Sequence, residues 1–451
     1  MSRSRTQHFV PGVVSQPRFG VAARTSEPWL QRRAASTSSR LLLSLVLVAA
    51  AMPLRIVENV PVVNSLSVLD ILLVCVGFTL LLDLAYRPLD VGYRQVFWIL
   101  CIPFLLAVAS VYWSQDRGTT IRSILIYVEG IVVYLFVVRE LDGLPPYRIV
   151  RYIERYAYLL VIPAVLLLLH VPGFEPRIGE GISKTSGDYL TYFTRLSHPV
   201  LGGSNNLASI LALLAPILLY WGQVRGNRRA TLAGGVALLA IFLTQSRGML
   251  LSFVLAGLLY GMIALIRPGQ QAAGGGRSQL WKRLVAIVAL GVTAICLFYL
   301  FNPTTHGLIK DRFTLANVNA RSHLIADAWT KIEHRPFLGY GSGVAPDGDL
   351  LLKEGVHNAF LQQIIYYGVP LGVGISLVLC GLAGFFLARR TVTPLAGVMG
   401  FALMAELISF LFESTFEGTV LRVLIYMCVG LMVGLLRAVE TGRLEQPPLT
   451  G

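Results

Sequence analysis

The chain has 451 residues, of which 55% are hydrophobic and 14% charged, with a formal net charge of +14 and a mean hydropathy of +0.66. A soluble domain carries about 25% charged residues, so a water-soluble core is excluded and apolar spans of about 20 residues each account for the composition. The basic residues form no stripe interleaved with aromatics, which argues against nucleic acid as a partner. Cys75, Cys101, Cys296, Cys380 and Cys428 all fall in apolar runs without paired spacing, so neither a disulfide framework nor a thiol metal site is expected.

Residues 1–40 hold Arg3, Arg5, Arg18, Arg24, Arg32, Arg33 and Arg40 among Ser, Thr, Pro and Gln, and read as a disordered basic cytoplasmic tail. The apolar run that starts at Leu41 reads as a retained first span. A cleaved signal peptide competes with it, because the run ends in Ala-Ala-Ala-Met, but the basic region is long for a signal. Further runs place spans at 41–56, 67–86, 96–113, 120–138, 153–171, 204–221, 230–245, 249–266, 284–301, 368–388, 393–412 and 419–436. The chain therefore predicts an all-α integral membrane protein of about 12 transmembrane helices, with no internal repeat.

With the N-terminus inside, the inner joints hold Arg87 and Arg94, then Arg139, Arg148, Arg151 and Arg155, then Arg225, Arg228 and Arg229. Later inner joints hold Arg267, Arg277, Lys282 and Arg283, then Arg389 and Arg390, then Arg437 and Arg443. With the tail, these are most of the 38 basic residues, and the positive-inside rule then makes both termini cytoplasmic. Nine spans occupy 41–301, one large extracytoplasmic helical loop occupies 302–367, three spans occupy 368–437, and 438–451 form a cytoplasmic tail. Within the loop, residues 319–334 carry Leu324, Ala328 and Ile325, Trp329, Ile332 at helical spacing, with Pro336 as the stop. That helix is expected to lie against the membrane domain.

This topology puts three polar sites on the outer side. The first is TQSRG at 244–248, whose Arg247 sits between two apolar runs, where a snorkelling anchor is the plain alternative. The second is Arg321, near the start of a helix that also carries Asp327, Lys331 and Glu333, so a solvated charged face is an equal alternative. The third is His357, before Asn358 and an apolar helical pattern, where a structural cap is the alternative. Arg195, His198, Asn205 and Asn206 cluster at the start of the sixth span, and Arg122 begins the fourth; both groups read as helix caps or anchors with a possible substrate role for Arg195, Asn206 and Arg122. Gly339, Gly341 and Gly343 form GxGxG after a helix and a proline, which reads as a flexible turn rather than a dinucleotide fingerprint. His323, His334 and Asp327 lack zinc spacing, so no metal and no cofactor are expected.

TQSRG, then RSHLIADAWTKIEHRPFLGYGSG, then HNAFLQQIIYYGVPLG, preceded by SVYWSQDRGTTIRS and LGGSNNLAS, resemble the O-antigen ligase and polysaccharide polymerase superfamily in order, spacing and context. The resemblance covers most of the chain beyond residue 60. It implies a GT-C-like bacterial inner-membrane glycosyltransferase that moves a glycan from a polyprenyl-diphosphate carrier to a lipid or glycan acceptor hydroxyl outside the cytoplasm, without a metal. Arg247 and Arg321 match the family's diphosphate-binding positions, and His357 matches the candidate base, with Arg321 beside it in catalysis and Asn358 orienting it. Fixed guanidinium forks suit a diphosphate, and a positioned histidine suits an acceptor hydroxyl. The competing class is a polytopic transporter or lipid-linked glycan flippase, for which Glu129 and Glu406 within spans are the pointers.

Overall fold

The computed structural model describes residues 41–50, 55–60, 64–84, 90–169, 196–198, 204–244, 246–266, 315–344, 358–412 and 419–441. The chain divides into Met1–Leu41 and Leu42–Gly451. The first unit, with the expected tail, lies outside the described residues except for Leu41; the second holds the architecture.

Apolar runs become helices because a bilayer leaves each backbone N–H and C=O no partner but the chain itself. These are α1 (Leu41–Ala50), α2 (Val68–Leu84), α3 (Arg94–Ser110), α4 (Arg117–Leu141), α5 (Pro146–Leu168), α6 (Ser204–Arg225), α7 (Arg228–Leu243), α8 (Arg247–Ile266), α9 (Leu315–His334), α10 (Ala359–Ala388), α11 (Pro394–Ser409) and α12 (Thr419–Glu440). Capping residues set several of the boundaries: Asp116 accepts from Thr119 N before α4, Asn227 accepts from Arg229 N and Ala230 N before α7, and prolines open α5 and α11. A short antiparallel hairpin, β1 (Arg55–Val60) with β2 (Asn64–Ser67), joins α1 to α2, which the apolar pattern alone did not announce.

Among the described residues, four helices are long and apolar enough to cross a membrane: Arg117–Leu141, Ser204–Arg225, Ala359–Thr391 and Leu421–Glu440. Shorter apolar helices stand at other expected spans, including Val68–Leu82, Arg94–Ser110 and Pro394–Ser409. The predicted span at 284–301 lies outside the described residues.

Helix association in lipid depends on close fit rather than on water release. α4 and α12 pack intimately, and glycines make this possible. A Cβ at Gly130 would stand 2.9 Å from the Tyr426 ring, and one at Gly434 would stand 2.6 Å from Leu141. α6 pairs with α7, while α11 packs on α6, α8 and α10. Tyr127, Tyr134, Tyr156 and Tyr367 fill the interior.

The connections sort into two ends. At the first, Arg389 donates two bonds of 3.0 Å to Glu440 and stacks over Tyr93 at 4.2 Å, while the Tyr93 hydroxyl donates to Glu440. Arg437 pairs with Asp90 at 2.5 Å and with Asp142 at 4.0 Å, and Arg390 donates to Ile263 O. Among the described residues, these contacts join the segments around 90–93, 142, 389–390 and 437–440 to one another and to the end of α8. At the opposite end, described contacts join the α3–α4 connection, residues 335–344 and the ends of α10 and α12. The ends are called here the clamp end and the turn end.

Candidate functional site

The turn end is built around residues 335–344, which follow α9. Tyr340 N and Gly341 N donate to Ile365 O and Tyr366 O of α10, Val369 N donates back to Pro336 O at 2.7 Å, and Gln115 N donates to Tyr340 O. Gly339, Gly341 and Gly343 all have positive φ, as a turn this tight requires. A Cβ at Gly341 would stand 2.5 Å from Ser114 Oγ. The expectation of a turn without a nucleotide fold agrees with this geometry, but flexibility does not: residues 339–344 are a largely buried plug, because glycine here supplies close approach rather than freedom.

Its socket is SVYWSQDRGTTIRS. Ser110 Oγ accepts from Ser342 N at 3.1 Å, and Ser342 Oγ shares a 2.8 Å bond with Ser123 Oγ and accepts 2.8 Å from the Tyr367 hydroxyl. Arg422, 4% exposed on α12, donates to Ser123 Oγ at 3.2 Å and stacks over Tyr127 at 4.9 Å. Sequence reasoning missed Arg422 and Ser342. An arginine three positions into a span was the available signal for the former. Asp116, at the mouth of the socket, is held below the usual carboxylate range by the Thr119 hydroxyl and amide.

The second part of the turn end gathers the other motifs. In TQSRG, Thr244 closes α7 with Oγ1 on Ile241 O at 2.6 Å, and Ser246 caps α8, accepting from Met249 N at 3.5 Å. Arg247 is thereby the first residue of α8. Leu196 N donates to Leu243 O, which ties the start of the sixth span to this joint. Asn358 caps α10, accepting from Phe360 N at 3.1 Å and Leu361 N at 3.0 Å, and Ala359 N donates to Phe410 O at the end of α11. Asn358 is thus a structural cap as well as the neighbour of His357. Buried Glu406 lies one turn below Phe410, with Ser209 of α6 beside it.

The helices that carry Arg247 and Arg321 and the helix that follows His357 in sequence adjoin: α8 and α10 both pack on α11, and α9, with Ala328 and Ile332 buried, packs on α10. α9 begins at Leu315, four positions before the expected start, and ends at His334 as expected. His357 and Arg195 lie outside the described residues, and for Arg247 and Arg321 only the backbone is described. Arg122 is half-buried in α4, and Asn206 is half-buried in the first turn of α6.

His198, at 0% exposure before α6, has its pKa pushed down to about 4 by burial. Because this lies below the ordinary 6.5, the unfolded chain binds the proton first. The contribution of neutral His198 is complete above about pH 6.5 and is lost as pH falls toward about 4. In detergent, the thermal midpoint of the native protein is expected to fall more steeply between about pH 7 and about pH 5 than that of His198→Gln. Equal slopes would contradict the buried neutral state.

The described structure thus defines an all-helical membrane bundle, apart from one short hairpin, with a packed turn and helix at one end. Residues 232–376 match the family model described as O-antigen ligase, so this stretch of the chain is similar to that family. The match takes in TQSRG, the α9 segment with its turn, and the start of α10. No curated protein matches the chain.

Proposed function

We propose that the chain is an envelope glycosyltransferase of the O-antigen ligase or polysaccharide polymerase type, moving a glycan from a polyprenyl-diphosphate carrier to an acceptor hydroxyl of a lipid or glycan. The carrying observation is the O-antigen ligase match over residues 232–376, which contains Arg247, Arg321 and His357. In this reading Arg247 and Arg321 hold the diphosphate by bidentate contacts, and His357 accepts the proton from the acceptor hydroxyl. Asn358 positions His357 through the cap, while Arg195, Asn206 and Arg122 are further substrate contacts. Two arginines carry the charge stabilisation that many diphosphate enzymes give to a divalent ion, so the reaction needs no metal and no cofactor.

The distribution of buried polar groups favours this over a transporter. A carrier concentrates polar groups near the midplane of broken or repeated helices. Here Ser110, Ser123, His198, Ser342, Gln362 and Arg422 are among the many buried polar groups at or near the turn end, against Glu154, Arg390 and Thr393 at the clamp end and Ser209, Ser252 and Glu406 within helices. Deletion of the gene should change surface glycans by loss of attachment for a ligase, or by accumulation of single repeat units for a polymerase. Transfer from a polyprenyl-diphosphate-linked glycan by purified protein should persist in excess chelator. Loss restored by magnesium or manganese, with detergent controls unaffected, would refute the metal-free scheme.

The turn end faces outside the cytoplasm of a bacterial inner membrane, and both termini lie inside. A cysteine placed at Gly348 should react with a membrane-impermeant reagent in intact cells. Labelling only after lysis would invert the orientation and remove the site from the outer face.

A further inference from the structure

We propose that α9 and the turn after it form a bilayer-surface anchor, seating the side of the turn-end cap marked by Ile325, Trp329, Phe337 and Leu338 in the lipid headgroup layer. This rests on the membrane reading of the helices and not on glycosyl transfer. Taking about 100° per residue around α9, Leu324, Ala328 and Ile332 define one sector; Ala328 and Ile332 are buried, and α9 packs on α10. Ile325 and Trp329 lie on one flank of that sector and stay 40% and 51% exposed. His323, Thr330, Glu333 and His334 occupy the polar face beyond. The helix therefore has a packed sector, an apolar flank and a polar back, the division expected of a helix lying in an interface.

The occupant of the apolar flank follows from what it continues into. After Pro336, Phe337 and Leu338 are 74% and 51% exposed. Their backbone touches the kink of α10: Val369 N donates to Pro336 O, and a Cβ at Gly368 would stand 2.3 Å from Phe337 C. Beyond that kink, Val369, Val373 and Leu377 form an exposed stripe at four-residue spacing on the span Ala359–Thr391, only 33% of whose apolar window is buried in the protein. That stripe faces lipid if the span crosses the bilayer. Phe337 and Leu338 extend it at its outer limit, where an aromatic and basic fringe is favoured. Arg335 stacks on Tyr340 at 5.2 Å beside them. A protein partner would have to cover a surface that runs without a break into the lipid-facing side of a span. A lipid surface covers both together, and apolar side chains enter it by about 5–10 Å.

The test uses full-length protein in phosphatidylcholine and phosphatidylglycerol vesicles, with the native cysteines replaced by serine or alanine and one polarity-sensitive fluorophore at a time on Ile325→Cys, Trp329→Cys, Phe337→Cys, Leu338→Cys, His323→Cys or Thr330→Cys. Quenching by a nitroxide on the lipid headgroup-proximal chain is expected to be about threefold stronger at the first four positions than at the last two, with iodide showing the reverse order. Iodide quenching equal at all six positions would overturn the proposal. Shielding of the first four from both quenchers would also overturn it, because it would assign the flank to a second copy or another segment of the chain. Four independent positions keep the outcome readable if one variant fails to assemble, and none of these readouts depends on catalysis, so failure here is distinct from failure of the transfer reading.

Discussion

Replacing His357 with alanine is expected to lower glycan transfer by about 10²- to 10⁴-fold while leaving expression and membrane insertion unchanged, since a positioned base acts on the transition state rather than on folding. The cap of α10 is made by Asn358, the next residue, whose side chain already satisfies Phe360 N and Leu361 N. Arg321→Lys separates charge from geometry. Lysine keeps the cation but loses the planar fork, so transfer by Arg321→Lys near that of Arg321→Ala would show that bidentate contact is required. Arg247→Ala should raise KM for the lipid-linked donor as well as lower kcat, because that residue is proposed to hold diphosphate before chemistry begins. Transfer by His357→Ala close to the native rate at neutral pH would remove the base assignment and leave the family match without its proposed proton acceptor.

Much of the helical layout was legible in the sequence, because a bilayer turns apolar length directly into helix. The α9 helix was also legible, since its end is fixed by Pro336 and its period by Leu324, Ala328 and Ile332. What the period could not reveal was which apolar residues pack: Ile325 and Trp329 belong to the same stripe in sequence, yet they remain exposed while Ala328 and Ile332 are buried. The glycine turn was misjudged for a related reason. Three glycines in five residues allow freedom, and only the neighbours Ser114, Ser123 and Ile365 turn that allowance into a fixed plug. The use of SVYWSQDRGTTIRS was hidden as well, because its serines bond to residues more than 200 positions away. The carriers of Arg247 and Arg321 and the helix that follows His357 adjoin through α10 and α11, a long-range relation that spacing along the chain cannot show.

Gly368→Ala should be among the most damaging single-methyl changes outside the proposed chemical groups. Gly368 has φ of +78° and ψ of 169° within α10, a region essentially reserved for glycine, where an L-residue costs about 1–3 kcal/mol. The added Cβ would stand 2.3 Å from both Phe337 C and Phe337 O and 2.7 Å from Leu338 N, all of them backbone atoms that cannot swing aside. Overpacking of this kind adds about 1–3 kcal/mol, so a total of roughly 2–6 kcal/mol is expected. The chain would relieve it by lifting residues 335–344 from the socket, breaking the bonds from Tyr340 N, Gly341 N and Val369 N and from Ser342 to Ser110 and Ser123. The expected result is a lower thermal midpoint together with new proteolytic cleavage around the turn, and reduced transfer because α9 loses its seat on α10. Gly374→Ala supplies the control on the same helix, since its Cβ would meet nothing within 4 Å and alanine favours the helix. If Gly368→Ala matched Gly374→Ala in both midpoint and cleavage pattern, the turn would not be docked on the α10 kink, and the fixed position of α9 over the bundle would lose its basis.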